Sequence, residues 1–197
     1  MVITEKTIRI INGYAVLGER ILKNGTRLIG HVPHRGTQAY LHLLFSPAPI
    51  ENIKELKAKL PSAAQALEHY EILLTEHNGA VFFLGSLALN GIRIGLISRS
   101  SEDRQPFDLL DLNSFERPKN ADPKTLYIGS YNSDGSLIYL EPNGEVLVCK
   151  KNDATPYARW ANLSEMISTE IPRLAQFYDQ NGQVIDKCTS RLPLPNI

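Results

Sequence analysis

His31, His34 and His42 stand close enough along the chain for a strand and a turn to bring three imidazoles together, and neutral imidazole suits zinc or copper. No cysteine and no second spaced pair completes such a set. Three histidines near turns are ordinary surface residues more often than ligands, by roughly ten to one. His69 and His77 lie too far apart for the four-residue spacing of helical metalloprotease ligands. Ser86, in Leu84-Gly85-Ser86-Leu87, sits at a turn but lacks the flanking glycine pattern of a nucleophile elbow. The pairs Asp108 with Asp111 and Glu165 with Glu170 have the residue types of an acid and a base, yet solvated faces explain them. Gly91 to Gly95 has neither the spacing nor the following Lys-Ser/Thr of a phosphate loop. The expectation is a protein with no catalytic residue, no metal site and no cofactor.

Composition narrows the partners. The chain has 197 residues, 43% of them hydrophobic, which is enough for one domain with a real core. Its 21 basic side chains are balanced by 21 acidic ones, so no net field favours nucleic acid or an anionic membrane. Tyr127, Tyr131, Tyr139, Tyr157 and Trp160 are not interleaved with basic residues as single-strand binding requires. The apolar runs Tyr40 to Phe45 and Ala80 to Leu84 fall far short of the roughly 20 residues of a membrane helix. The start of the chain does not read as a signal peptide, which puts the protein in the cytoplasm. Cys149 and Cys188 read as reduced thiols, a single bridge between them being the alternative.

The elements that must position any site follow from periodicity. The first 45 residues read as hairpins, with Thr7 to Val16 and Arg27 to His31 as β-branched runs and Asn12-Gly13 and Asn24-Gly25 as turns. A strand is expected over Tyr40 to Phe45, then a break at Ser46-Pro47-Ala48-Pro49. Ile50, Ile53, Leu56 and Leu60 mark a helix, and Ala63, Leu67, Tyr70 and Leu74 mark a second that Asn78-Gly79 stops. Strands are expected at Ala80 to Leu84, Leu87 to Leu89, Ile92 to Ser98, Leu126 to Tyr131, Leu137 to Glu141 and Glu145 to Lys150. Asp134-Gly135 and Asn143-Gly144 join the last three into a meander. Arg99 to Lys124 reads as a loop with at most a short helix near Leu109 to Phe115. Asn162 and Glu165 open a closing helix that Pro172 should kink or divide. The fold class is therefore α+β: a mixed, largely antiparallel sheet flanked by helices, with residues 1–49 as a β-rich extension, 50–180 as the core and 181–197 as an irregular tail.

The order of these features carries a resemblance. Leu60-Pro61, a helix closed by His77-Asn78-Gly79-Ala80, a strand and Gly85, then Tyr127-Ile128-Gly129-Ser130, Asp134-Gly135, Ile138-Tyr139-Leu140, Gly144-Glu145-Val146 and a helix after Trp160 resemble the SUKH superfamily over about residues 50 to 180. Departures are the first 49 residues, the long loop from Arg99 to Lys124 and Pro172 in the closing helix. The resemblance implies a fold without an enzymatic centre. Bacterial members include immunity proteins paired with polymorphic toxins, often nucleases, and fungal members include cell-wall synthesis regulators.

The leading expectation is a protein-binding module, an immunity protein occluding a cognate toxin through an exposed sheet face. Tyr131, Asn132, Asp134 and Trp160 are the candidate partner-binding residues. The bland alternative for each is equally strong: Asn132 and Asp134 build a hairpin turn and Trp160 fills the core. A regulatory or scaffold module is the second reading and a metal-dependent hydrolase on the amino-terminal histidines the third.

Overall fold

In the computed structural model, which describes residues 2–95, 102–185 and 191–197, the chain opens with a helix where hairpins were expected. Thr4 caps α1 (Glu5–Gly13), its hydroxyl accepting from Thr7 N at 3.3 Å, and Glu5 sits in the positive first turn. Thr7 and Ile11, four residues apart, are buried, and the helix packs on the closing helix of the fold. The β-branched run that argues for a strand is overridden by that tertiary face. Asn12-Gly13 ends a helix and does not turn a hairpin.

The next strands are β1 (Glu19–Ile21), β2 (Arg27–His31) and β3 (Tyr40–Leu44). After the proline break come α2 (Ile50–Lys59) and α3 (Ala64–Glu76), which bury Ile53 and Leu56 from one and Ala66, Leu67, Tyr70, Leu73 and Leu74 from the other. Ile50, expected on the buried stripe, is exposed. Gly79 follows at φ +83°, and a Cβ there would lie 2.6 Å from Leu89 O, so only glycine fits this stop.

β4 (Ala80–Phe82), β5 (Leu87–Leu89), α4 (Leu109–Asp111), β6 (Leu126–Ser130), β7 (Leu137–Leu140), β8 (Val146–Lys150), β9 (Asp153–Trp160) and α5 (Leu163–Ala175) follow among the described residues. Residues 92–94 are irregular, and the remainder of the strand expected over Ile92 to Ser98 lies almost wholly outside the described residues, as does Cys188. α4 runs on as a π-helical turn through Glu116, matching the short helix expected near Leu109 to Phe115. β9 was missed because Asp153 and Pro156 disfavour strands. It is an edge strand, where proline is tolerated, and the tail closes its outer rim: Asn196 Oδ1 accepts from Arg159 N at 2.7 Å, while Asn196 Nδ2 donates to Arg159 O.

The nine strands among the described residues form one open antiparallel sheet in sequence order, so the amino-terminal strands extend the same sheet as the core. One register row, Leu44, Ala80, Leu89, Gly129, Ile138, Val148 and Ala158, faces the helices. Its side chains join Ile53, Leu67, Met166 and Ile171 in the main hydrophobic cluster. On the other face Leu112, Tyr127, Leu137, Tyr139, Leu147 and Cys149 make a second cluster beneath the turn after α4. Burial pushes the Cys149 thiol up to about 11, so it stays protonated.

α5 runs as one helix through Pro172, so of the kink or division expected there the division does not occur. Asn162 accepts from Glu165 N at 2.9 Å and Glu165 reaches back to Ala161 N, as the capping pair predicts.

Gly129 is the tightest point of the sheet, because a Cβ there would lie 2.1 Å from Ala88 O. That oxygen belongs to the neighbouring strand and cannot rotate aside. Gly129→Ala is therefore expected to destabilise the protein by about 3 kcal/mol, the upper end of overpacking costs, in a urea titration. A midpoint unchanged from the parent would refute this close approach.

Candidate functional site

The sheet face turned away from the helices carries a cleft of about 530 Å³. Its floor is a second register row across four strands: Leu43 pairs with Val81, Val81 with Ala88, and Ala88 with Ser130. Alternation puts these side chains opposite the core row. Ala88 and Ser130 are small beside Leu43 and Val81, and their short side chains leave depth above β5 and β6.

One wall is the turn Phe83–Gly85, which contributes Leu84 and Gly85 to the cleft. Phe83, Leu84 and Gly85 have φ of 50°, 57° and 88°, three consecutive left-handed residues. For bulky residues such a backbone costs roughly 1–2 kcal/mol each, so the surroundings must enforce it. They do. Tyr178 stacks on Phe83 at 4.9 Å, and its hydroxyl donates to Phe83 O at 2.9 Å. The Tyr178 hydroxyl also lies 2.9 Å from Ser86 Oγ. His42 meets the Phe83 ring edge-on at 4.5 Å, and Tyr14 lies against both rings. His42 is fully buried, neither ring nitrogen has a partner among the described residues, and burial pushes its pKa down to about 3. It is a neutral ring in an aromatic enclosure.

The opposite wall is the segment 102–107, the part of the long polar loop that closes over β3 to β6. Arg20 pairs with Glu102, and Asn24 Nδ2 donates to Arg104 O at 2.9 Å. Gln105 Oε1 accepts from Ile94 N, and Gly91 N donates to Phe107 O. Pro106 and Phe107 supply the apolar lining, and Phe107 is 61% exposed. Asp103 Oδ1 accepts from the side-chain amides of Asn24 and Gln105.

Two guanidiniums line the cleft and differ in their neighbours. Arg93 faces Asp111 at 3.3 Å and Asp108 at 3.9 Å. Arg104 donates to the Gln38 carbonyl and lies 6.0 Å over the Tyr40 ring, with no carboxylate partner among the described residues. Burial lowers its pKa; Tyr40 opposes that and the Arg20 charge adds to it.

Of the four residues singled out from sequence, only Asn132 lines the cleft. Tyr131 is wholly buried, so it is corrected from surface anchor to core residue: it turns to the helix side and its hydroxyl donates to Glu170 Oε2 at 2.7 Å. Burial first, and then the Glu170 carboxylate, hold the Tyr131 phenol well above its ordinary range. Trp160, 8% exposed, pairs with Val146 on the core side and is likewise not an anchor. Asp134 is exposed but builds its turn, accepting from Ser136 N at 2.8 Å and pairing with Lys150 at 2.9 Å. The histidines do not converge: His31 lies tilted against the Tyr40 ring, His34 is exposed, and His42 is enclosed on the helix side. Among the described residues no three His, Cys, Asp or Glu gather as metal ligands.

Leu84, Arg93, Arg104 and Phe107 were missed. The one sequence signal was the length of the loop after Arg99, since long loops in compact proteins tend to carry function. Compared with family models, curated proteins and solved structures, the chain gives no match.

Proposed function

We propose that the chain is a protein-binding module, an immunity protein of the SUKH type that neutralises a cognate bacterial toxin in the cytoplasm through its cleft-bearing sheet face. The observation that carries this reading is the cleft itself, a preformed, largely apolar depression on the sheet face opposite α2, α3 and α5. An exposed aromatic rims it and a strained, over-determined turn walls it. Such a depression suits an anchor side chain from a partner, and central anchors dominate protein interfaces. The order of α2, α3, the hairpins of β6 to β8 and α5 follows the succession on which the resemblance rests. No helix among the described residues is long and apolar enough to cross a membrane.

The test is co-expression with toxins encoded beside the gene, scored by growth rescue and by co-purification at fixed salt. Rescue together with a stable complex is expected. Ala88→Leu, which fills the cleft floor, should weaken the complex by tenfold or more, as expected where a central anchor contributes at least about 2 kcal/mol. If no neighbouring product is toxic and nothing co-purifies, the immunity reading fails.

A further inference from the structure

We infer that the cleft receives a segment of the protein partner in which an aromatic or branched aliphatic side chain stands beside a carboxylate, the apolar group over Ala88 and Ser130 and the carboxylate against Arg104. This deepens the proposed function and rests on its claim that the cleft is the docking face.

Size and lining select the apolar group. About 530 Å³ lies within the roughly 300–1,000 Å³ range of pockets that enclose small ligands, enough for a bulky side chain and its flanking backbone. Leu43, Val81, Leu84, Pro106 and Phe107 surround the small floor residues, so a side chain seated there leaves water on nearly every side.

Charge selects the neighbour. Arg104 is a half-buried guanidinium whose described contacts are a carbonyl and an aromatic ring, and Arg20 is the other cation acting on it. An incoming carboxylate would give it the bidentate, charge-assisted partner that the described residues do not supply. Asp103, though adjacent in sequence, makes no ion pair with Arg104; its Oδ1 accepts from the side-chain amides of Asn24 and Gln105 instead. Only one negative charge is called for. At the other end Arg93 already faces two carboxylates, Asp108 and Asp111, which would repel a phosphate or a polyanion.

The probe is N-acetylphenylalanine, compared with N-acetylphenylalaninamide, in which the carboxylate is neutralised. Binding to the full chain is followed by amide shifts of Gly85, Gln105, Ser130 and Asn132 in proton–nitrogen spectra. Saturable shifts with a Kd in the millimolar range are expected for the acid, and binding about tenfold weaker for the amide. Arg104→Gln should abolish the difference between the two while leaving amide binding in place. Ala88→Leu should block both, with a cooperative melt confirming that it folds. Equal affinity for acid and amide, binding that survives Ala88→Leu, or no saturable shift at about 20 mM probe overturns the inference.

The outcomes separate from those of the preceding proposal. A toxin that co-purifies equally with the parent and with Ala88→Leu sinks the cleft assignment and leaves the immunity role standing. Acid-selective probe binding without any toxin partner does the reverse.

Discussion

Replacing Glu170 with alanine is expected to lower stability by about 3 kcal/mol, the lower end of the cost of leaving one member of a buried ion pair uncompensated, because the stranded Arg173 keeps 23% of its side chain exposed. At this chain length that corresponds to a fall in Tm on the order of 10 °C. Glu170 sits on α5 with only 2% of its side chain exposed, and both of its oxygens are engaged. Arg173 donates from Nε to Oε1 at 2.9 Å and from Nη2 to Oε2 at 2.6 Å, and Tyr131 donates to Oε2. Arg173 also donates to Arg191 O at 2.7 Å, so the cluster ties β6, α5 and the tail together. Removing the carboxylate leaves the Tyr131 phenol without its acceptor and the Arg173 guanidinium with the Arg191 carbonyl but no counter-charge. Replacing both Glu170 and Arg173 with leucine and methionine should recover part of the loss, since no charge is then stranded. Thermal melts of the three proteins check this. A Glu170→Ala protein within 1 kcal/mol of the parent, roughly the worth of a surface pair, would show that the cluster contributes no more than such a pair.

Acid should destabilise the protein well before its carboxylates titrate. In the unfolded chain the His42 imidazole takes up a proton below its ordinary value of 6.5, whereas in the native state burial keeps it neutral down to about 3. The unfolded state therefore binds more protons across that interval. The stabilisation is full above pH 6.5 and is lost as pH falls, at up to about 1.4 kcal/mol per unit. Between pH 6.5 and 5 the loss from this one residue approaches about 2 kcal/mol. His77, also held low chiefly by burial, adds in the same direction. His42→Leu keeps an apolar group against Tyr14 and Phe83 and removes the proton acceptor, so urea midpoints across that range should fall less steeply than for the parent. Identical slopes would mean that His42 is solvated in the native state, contrary to its enclosure.

Local rules carried much of the architecture because they depend on near neighbours alone. α2, α3 and α5 follow from apolar spacing, and the β6 to β8 hairpins follow from Asp134-Gly135 and Asn143-Gly144. Two elements escaped for opposite reasons. α1 is written in strand-favouring residues and becomes helical because Thr7 and Ile11 find α5 and the sheet to pack on. β9 contains Asp153 and Pro156 and becomes a strand because it lies at an edge beside β8. For α1 the deciding partner is remote in sequence, whereas for β9 it is the strand just before it; in both, propensities worth a few tenths of a kcal/mol per residue yield to packing.

The sequence by itself determined the α+β class, the amphipathic helices and the hairpin turns, since period, proline, glycine and capping residues act over a few positions. It also marked Asn132 as a turn residue near a surface. The tertiary structure alone decided which face of the sheet is left open. It aligned Leu43, Val81, Ala88 and Ser130 into one floor, gave Phe83 and Leu84 a left-handed backbone under Tyr178 and His42, and set Arg104 beside the cleft with no ion-pair partner among the described residues. The physical reason is that a cleft is a relation among segments far apart in the chain, fixed by strand register and by competition for burial, and no local pattern encodes either.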